Sequence, residues 1–178
     1  DKATRLTYRK LQGDLQMLVY HDASWANMPG LKSQAGMLMV LAGEQTSVCP
    51  GDYGHHGNVL TWRSARIQPV VRSTSAAEPM SALDAADQAA YAAALLHCWL
   101  GQKMKMTMIS DCNSLVENMK NVNYYVQEKR LILDLYTIRE MMDKGIIDKL
   151  IWSPTQLQLA DALTKVMDSA NLLKALKS

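Results

Sequence analysis

Apolar residues fall into short blocks along the first half of the chain. Residues 15–22 alternate and then run apolar, residues 35–42 (AGMLMVLA) are almost continuously apolar, and residues 58–64 form a third block. Blocks of this length and pattern are typical of strands. The turn-rich connections between them are short enough for antiparallel hairpins. The pattern therefore predicts a three-stranded meander.

The second half alternates helical and strand-like blocks. Residues 77–100 predict a long helix whose alanines allow close packing on a sheet. Residues 105–110 predict a fourth strand, which joins the first in parallel because a helix separates the two. The remaining predicted elements are helices over 112–120 and 126–143, with Gly145 as a stop, a strand over 148–152, and a last helix over 155–166 with Leu159, Leu163 and Val166 on one stripe. The expected fold class is α/β, with a five-stranded mixed sheet (three antiparallel strands, then two parallel) flanked by helices.

Composition restricts the class of protein. The 178 residues, 48% of them hydrophobic, suit one compact domain. No apolar run reaches the roughly 18 residues of a membrane span, and the N-terminal residues lack the apolar centre of a signal peptide. The cysteines Cys49, Cys98 and Cys112 are odd in number and irregularly spaced, which favours a reducing compartment. We expect an intracellular protein, cytoplasmic or nuclear, with no membrane partner. Because it starts with Asp1, we also expect a segment of a longer polypeptide.

The net charge and the possible zinc ligands add little evidence about function. A net charge of +2 does not by itself indicate nucleic-acid binding. Two local basic clusters are either binding surfaces or solvated faces: Arg63, Arg66 and Arg72, and Lys120, Lys129 and Arg130. A set of Cys49, His55 and His56 could suggest zinc. Its glycine-rich surroundings and unfamiliar spacing favour an exposed loop instead.

Four acids are predicted to meet at one edge of the sheet. Asp22 ends the first strand, Asp111 ends the fourth, Glu78 opens the long helix, and Asp161 lies in the last helix. The first and fourth strands are expected to be neighbours, which places Asp22 beside Asp111. Clustered carboxylates repel unless cations lie between them, and oxygen ligands select hard ions such as Mg²⁺ or Mn²⁺. Two such ions about 4 Å apart form an arrangement that cleaves phosphodiesters.

Three of the four acids also have a simpler explanation. Asp111 could cap the following helix, Glu78 could stabilise a helix N-terminus, and Asp161 could pair with Lys165 one turn later. The joint placement of the acids favours a shared site. Two further acids of the long helix lie on another face and are predicted to be solvated: Asp84 and Asp87.

Five blocks of the sequence, taken in order, resemble a known family. HDASW, LMVLAG, TWRSARIQPVVRSTSAAEPMSAL, SDCNSLV and IWSPTQLQLADALTK resemble the ribonuclease H domain of copia-type retrotransposon polyproteins. The likeness covers residues 15–167, which leaves 1–14 as a lead-in and 168–178 as a C-terminal tail. The last block is the most specific, through Pro154, Thr155, Gln158, Ala160, Asp161, Thr164 and Lys165.

The resemblance implies a ribonuclease H-like fold and an endonuclease that cuts the RNA strand of RNA/DNA hybrids during reverse transcription. It implies two Mg²⁺ or Mn²⁺ ions on Asp22, Glu78, Asp111 and Asp161, and a fused or associated reverse transcriptase domain. The candidate contacts to the hybrid are Asn113, Ser24, Ser73, Ser75 and Arg72. For the serines, a role in a turn or helix cap remains equally open.

The sequence departs from the family pattern in three ways. Pro79 replaces the tyrosine usual after the glutamate, which predicts a helix that starts close to Glu78. No histidine lies between Asp111 and Asp161, where cellular ribonucleases H carry an auxiliary one, so slow turnover is expected. The loop over residues 44–58 is longer than usual.

Other functions of the same fold remain as alternatives. A catalytically inactive nucleic-acid-binding or connection module has no need for four acids in register. Exonucleases usually carry a glutamate where this chain has Ser24. Integrases end their acidic triad in glutamate, where this chain has Asp161. Both of these reactions are disfavoured.

Overall fold

The computed structural model describes residues 6–43, 57–121, 129–166 and 172. The strands of its sheet are β1 (Leu15–Met28), β2 (Lys32–Gly43), β3 (Gly57–Arg66), β4 (Lys105–Ser110) and β5 (Lys149–Trp152). The α-helices are α1 (Thr74–Leu100), α2 (Asn113–Lys120) and α3 (Lys129–Asp143). After β5 comes a stretch that we call the closing segment, residues 154–165, which contains the 3₁₀ helices Thr155–Leu157 and Leu159–Leu163.

The strand order confirms the predicted topology. The sheet runs β3-β2-β1-β4-β5, with β1 antiparallel to β2 and parallel to β4. Tyr20 of β1 pairs with Ile109 of β4 where the parallel pairing ends, but β1 itself continues to Met28, so Asp22 lies inside the strand and not at its end as predicted. Asp22 and Asp111 each lie two residues beyond this pair, and the neighbouring strands therefore place both acids at one edge.

Helix α1 covers one face of the sheet with small side chains. Ala82, Ala85, Ala86 and Ala89 are buried in a cluster rich in methionine, which includes Met17 from β1. Alanine keeps the helix axis close to the sheet, and methionine fills the irregular space that remains. The predicted close packing of this helix is confirmed.

The start of α1 differs from the prediction. The helix begins at Thr74 rather than at residue 77, because the Ser73 hydroxyl caps it by accepting a hydrogen bond from the Ala76 amide at 3.2 Å. Glu78 therefore lies beyond the first turn and does not open the helix. Pro79 is an interior residue of α1. Since proline has no N–H, the carbonyl of Ser75 loses its usual helical partner there.

The closing segment covers the opposite face of the sheet. Leu159 and Ala160 pack with Leu18 and Tyr20 of β1. The predicted continuous helix over 155–166 is wrong, because two short 3₁₀ helices meet at Gln158, whose backbone is extended. The predicted apolar stripe also fails at its end: Leu159 is buried and Leu163 partly buried, whereas Val166 is fully exposed.

Gln158 explains why the helix is interrupted. Its amide nitrogen donates to the carbonyls of His21 at 3.0 Å and Ile109 at 3.2 Å, and its amide oxygen accepts from the Ala160 N–H. These bonds join the closing segment to β1 and β4 where the pairing of the two strands ends. A continuous helix would need a helical backbone at Gln158. The observed backbone is extended, and in this conformation the side chain bonds to both β1 and β4.

Several predictions concern parts of the chain outside the described residues. These are the zinc candidates Cys49, His55 and His56, most of the loop over 44–58, and the start of the helix predicted from residue 126. Gly145 follows α3 with a positive φ of 62° and donates to the Met142 carbonyl, which confirms it as the stop. Within the described ranges, every helix is too short or too polar to cross a membrane.

Candidate active site

Three of the four predicted acids lie together at the edge of the sheet. Carboxylate oxygens of Asp22, Glu78 and Asp111, one from each, lie within 4.8 Å of one another. Asp22 is 1% exposed and Glu78 is 4% exposed, while Asp111 is partly exposed. All three line an open cavity of about 340 Å³. The group is thus buried at its base and reached from solvent.

Asp22 is held from both faces of the sheet. On the α1 side, the Ser81 hydroxyl donates to the backbone carbonyl of Asp22 at 2.7 Å. On the other side, the Thr164 hydroxyl donates to its Oδ2. Gly36 pairs with Asp22 across β1 and β2, and a Cβ at Gly36 would lie only 2.7 Å from the Thr164 methyl. The glycine therefore allows the closing segment to reach Asp22.

Glu78 is the most strongly perturbed acid of the group. Burial, followed by the charges of Asp22 and Asp111, raises the pKa of Glu78 from 4.5 to about 9. Its Oε2 atom is buried and has no hydrogen-bond partner among the described residues. A buried carboxylate oxygen without a donor is costly, and a cation would satisfy it.

Asp111 is oriented by the residues around the end of β5. Its Oδ2 accepts a hydrogen bond from the Thr155 hydroxyl at 2.9 Å, and its backbone carbonyl accepts one from Trp152 Nε1 at 3.1 Å. Burial raises the pKa of Asp111, and the Thr155 bond acts in the opposite direction. The alternative role as a helix cap is wrong, because Cys112 holds that position.

Asp161 is buried nearby but lies outside the group of three. Its Oδ1 accepts from Lys165 Nζ at 2.6 Å, as the i+4 alternative predicted. Burial raises the pKa of Asp161 to about 6, and the bond from Lys165 opposes this shift. Lys165 also lies 3.5 Å from Asp22 Oδ2, and it lines the cavity. Burial acts to lower the pKa of Lys165, but its hydrogen bond to Asp161 and the surrounding acids raise it overall.

The group of three fits a hard divalent cation. Asp22, Glu78 and Asp111 supply only oxygen ligands at close range, and in the described part of the chain the Oε2 atom of Glu78 has no hydrogen-bond partner. Oxygen ligands of this kind suit Mg²⁺ or Mn²⁺, which also retain water and substrate oxygens. These three residues would hold the ion.

Comparison with known proteins identifies the fold. The sequence matches no protein-family model and no curated protein sequence. Its structure matches a ribonuclease H1 isolated from compost by a metagenomic approach, with a TM-score of 0.57 and 20% identity over 84% of this chain and 92% of that one. The chain has the ribonuclease H fold.

Two more solved structures share this fold. The compost ribonuclease H1 in complex with an RNA/DNA hybrid gives a TM-score of 0.55 and 20% identity, over 84% of this chain and 94% of that one. A foamy viral protease-reverse transcriptase in complex with double-stranded DNA gives 0.53 and 15%, over 85% and 92%.

The predicted substrate contacts occupy different positions on this fold. Ser24 lines the cavity, and its buried hydroxyl has no partner among the described residues. Ser73 caps α1 and lies 3.1 Å from the Ser75 hydroxyl, so its cap role is established. Arg72 precedes that cap and is exposed, and Asn113 is exposed at the start of α2. Of these five, only Ser24 borders the three acids directly.

The basic clusters are partly occupied by ion pairs. Arg63 pairs with Asp84 of α1, and Lys120 pairs with Glu117 at 2.8 Å. The predicted solvation of Asp87 is confirmed by its exposure. Among the residues of these clusters, Arg72 is the nearest in sequence to a site acid, because it lies six residues before Glu78.

Trp25 is a cavity residue that no motif assigned to the site. Its indole is 44% exposed at the cavity, and its Nε1 donates to the Val71 carbonyl at 3.0 Å. The pairing of β1 with β2 is irregular just beyond it, with Ala26 at a φ of 52°. Irregularities of this kind redirect side chains at strand ends. The sequence signal was the position of Trp25 in HDASW, three residues after Asp22.

His21 is fully buried beside the site on the α1 face of β1. Neither ring nitrogen has a hydrogen-bond partner among the described residues. Burial lowers the pKa of His21 to about 4, against a smaller opposite effect from Asp22. The imidazole is therefore neutral at physiological pH and adds no positive charge to the acidic group.

Proposed function

We propose that the protein is a metal-dependent ribonuclease H that cuts the RNA strand of RNA/DNA hybrids. The observation that carries this proposal is the convergence of Asp22, Glu78 and Asp111 at one edge of a ribonuclease H fold. The open cavity beside them lets a phosphodiester approach from solvent. A binding module without activity would gain nothing from burying these acids together.

The reaction needs a cation that the three acids can hold. A bound Mg²⁺ or Mn²⁺ lowers the pKa of water and stabilises charge on the leaving oxygen. The chain's own part is to fix the carboxylates: Thr164 positions Asp22, and Thr155 positions Asp111. Glu78 is held by the long helix, and its Oε2 has no hydrogen-bond donor among the described residues. Asp161 completes the four-acid set that the resemblance implies.

The substrate proposal rests on the rim of the cavity. Trp25 and Thr74 are exposed and line the cavity beside the acids, and Ser24 lines it with a buried hydroxyl. Hydroxyl groups and an exposed indole suit contacts with ribose 2′-hydroxyls and with the edge of a sugar or base. The proposed surface extends along the starts of two helices. Arg72, Ser73 and Ser75 lie at the start of α1, and Asn113 lies at the start of α2. One structural neighbour is a complex with an RNA/DNA hybrid, which supports this substrate class.

We further propose that the domain belongs to a retrotransposon of the copia type and acts with a reverse transcriptase domain. The ordered blocks from HDASW to ADALTK support this origin. A viral protease-reverse transcriptase among the structural neighbours is consistent with such a partner. In that setting, cleavage would remove template RNA after DNA synthesis.

The substrate preference can be tested with end-labelled duplexes of one sequence. In Mg²⁺ or Mn²⁺, the purified chain should cut the RNA of an RNA/DNA hybrid at internal positions and leave 3′-hydroxyl and 5′-phosphate ends. Single-stranded RNA and duplex DNA should stay intact, and EDTA should stop the reaction. Equal cutting of all three substrates, or release of single nucleotides from an end, would exclude a ribonuclease H.

A further inference from the structure

Lys165 lies between two carboxylates of the site. Its Nζ atom is 2.6 Å from Asp161 Oδ1 and 3.5 Å from Asp22 Oδ2. The backbone helps to fix this position, because the Lys165 N–H donates to the Asp161 carbonyl at 3.0 Å. The Thr164 hydroxyl lies between the same two acids, because both Asp22 Oδ2 and the Asp161 carbonyl oxygen are within hydrogen-bond distance of its one proton. The ammonium group is thus part of the built site.

The four acids are therefore divided into two sets. Asp22, Glu78 and Asp111 form a compact group, which Lys165 approaches at Asp22 Oδ2, 3.5 Å away. Asp161 is instead joined to that group through Lys165. An ammonium group on Asp161 Oδ1 uses the lone pairs that would bind a metal ion, and its charge repels a divalent ion nearby.

Lys165 is also able to leave this position. Its side chain is 34% exposed, whereas those of Asp161 and Asp22 are almost fully buried. Lysine has a flexible stem and a strongly hydrated head, so it can move into the open cavity while the acids stay in place. Removing it would leave Asp161 as a buried carboxylate in need of another cation.

We propose that the Lys165 ammonium occupies the second cation position of the acidic site. The chain without nucleic acid then binds one divalent ion strongly, between Asp22, Glu78 and Asp111. A second ion binds only when Lys165 leaves Asp161. This inference rests on the proposed function, since it takes the three acids as ligands of a metal ion.

The test is a calorimetric titration of the metal-free chain with Mn²⁺, without nucleic acid. The wild type should bind one ion per chain with the higher affinity. Lys165→Met removes the charge at similar length, and it should bind a second ion roughly tenfold more tightly than the wild type does. Lys165→Arg keeps a positive charge and should behave like the wild type. Lys144→Met is the matched control, because Lys144 forms an i,i+4 pair with Glu140 on the surface of the protein.

The outcomes separate this inference from the proposed function. Coincident isotherms for the wild type and Lys165→Met would overturn the role of Lys165 and leave the metal site intact. Two ions of equal affinity in the wild type would overturn it as well. Binding of Mn²⁺ to neither chain would overturn the proposed function itself. Thermal melting in EDTA checks that each variant is folded, and Lys165→Gln replaces Lys165→Met if the latter does not fold.

Discussion

At the scale of single residues, the site contains buried acids, and one carboxylate oxygen of Glu78 has no hydrogen-bond partner among the described residues. Asp22 was predicted from the sequence because a carboxylate ends an apolar strand, and Glu78 and Asp111 were predicted from the same edge. The sequence predicts Lys165 as a helical partner of Asp161 and as a member of the most specific family block. Its second contact, with Asp22, depends on how the closing segment packs, and spacing along the chain contains no information about that distance.

The protonation of Glu78 leads to a prediction about stability and pH. Its pKa is about 9 in the folded chain and 4.5 ordinarily, so the unfolded chain loses this proton first as the pH rises. Stability of the metal-free protein should therefore fall between these values. Above about pH 7 the titrations of His21, with an ordinary pKa of 6.5, and of Asp161, with a pKa of about 6, are largely complete. The fall towards pH 9 is therefore assigned mainly to Glu78, and the Cys112 thiol, whose pKa burial raises from 9.0, contributes only near the upper end.

Thermal melting in EDTA across this range measures the effect. The melting temperature of the wild type should fall by several degrees towards pH 9, and Mg²⁺ should raise it most at the high end, where binding no longer has to displace a proton. Glu78→Gln has no carboxyl to titrate and should lose most of the slope. An equally steep slope in this variant would show that another group is responsible.

At the scale of elements, local pattern predicted the sheet well and the closing segment poorly. Leu159 and Leu163 suggested a helix, but the hydrogen bonds of Gln158 to β1 and β4 favour two 3₁₀ helices instead. The start of α1 differs from the prediction for a similar reason. The Ser73 cap begins the helix at Thr74, although Pro79 favours a start close to Glu78. In both cases a side-chain hydrogen bond to the backbone decided the boundary. Periodicity of apolar residues cannot detect such a bond.

Gly36 connects the two elements that hold Asp22, and its substitution should disturb both. In Gly36→Ala, the new methyl meets the Thr164 methyl at 2.7 Å and the Ala160 carbonyl oxygen at 3.0 Å. We expect a loss of about 1–3 kcal/mol in the free energy of unfolding, together with weaker Mn²⁺ binding. Denaturant unfolding and calorimetry measure the two effects.

A second substitution tests the assigned contact. Thr164→Ser removes the crowded methyl and keeps the hydroxyl that donates to Asp22. It should recover part of the stability lost in Gly36→Ala, so that the two changes are not additive. Simple additivity would mean that the closing segment does not press on Gly36 in solution.

At the scale of the whole molecule, the order of elements determined the fold. A meander followed by a helix and a parallel strand places the first and fourth strands together, and the observed order β3-β2-β1-β4-β5 confirms it. Asp22 and Asp111 then meet, because each lies two residues beyond the last pair of the parallel ladder between these strands. The rim of the cavity was less predictable from the sequence. Trp25 lies where the pairing of β1 with β2 is irregular, and the register of these two strands depends on tertiary packing.

The central claim is that the grouped acids catalyse cleavage of RNA in a hybrid. The most direct test compares three chains on one labelled RNA/DNA hybrid in Mn²⁺: the wild type, Asp22→Asn, and Asp87→Asn as an exposed acid on α1 away from the site. We expect internal RNA cleavage by the wild type and by Asp87→Asn at the same rate, and a loss of at least about 100-fold in Asp22→Asn, as for other essential groups. Full activity of Asp22→Asn would contradict the account.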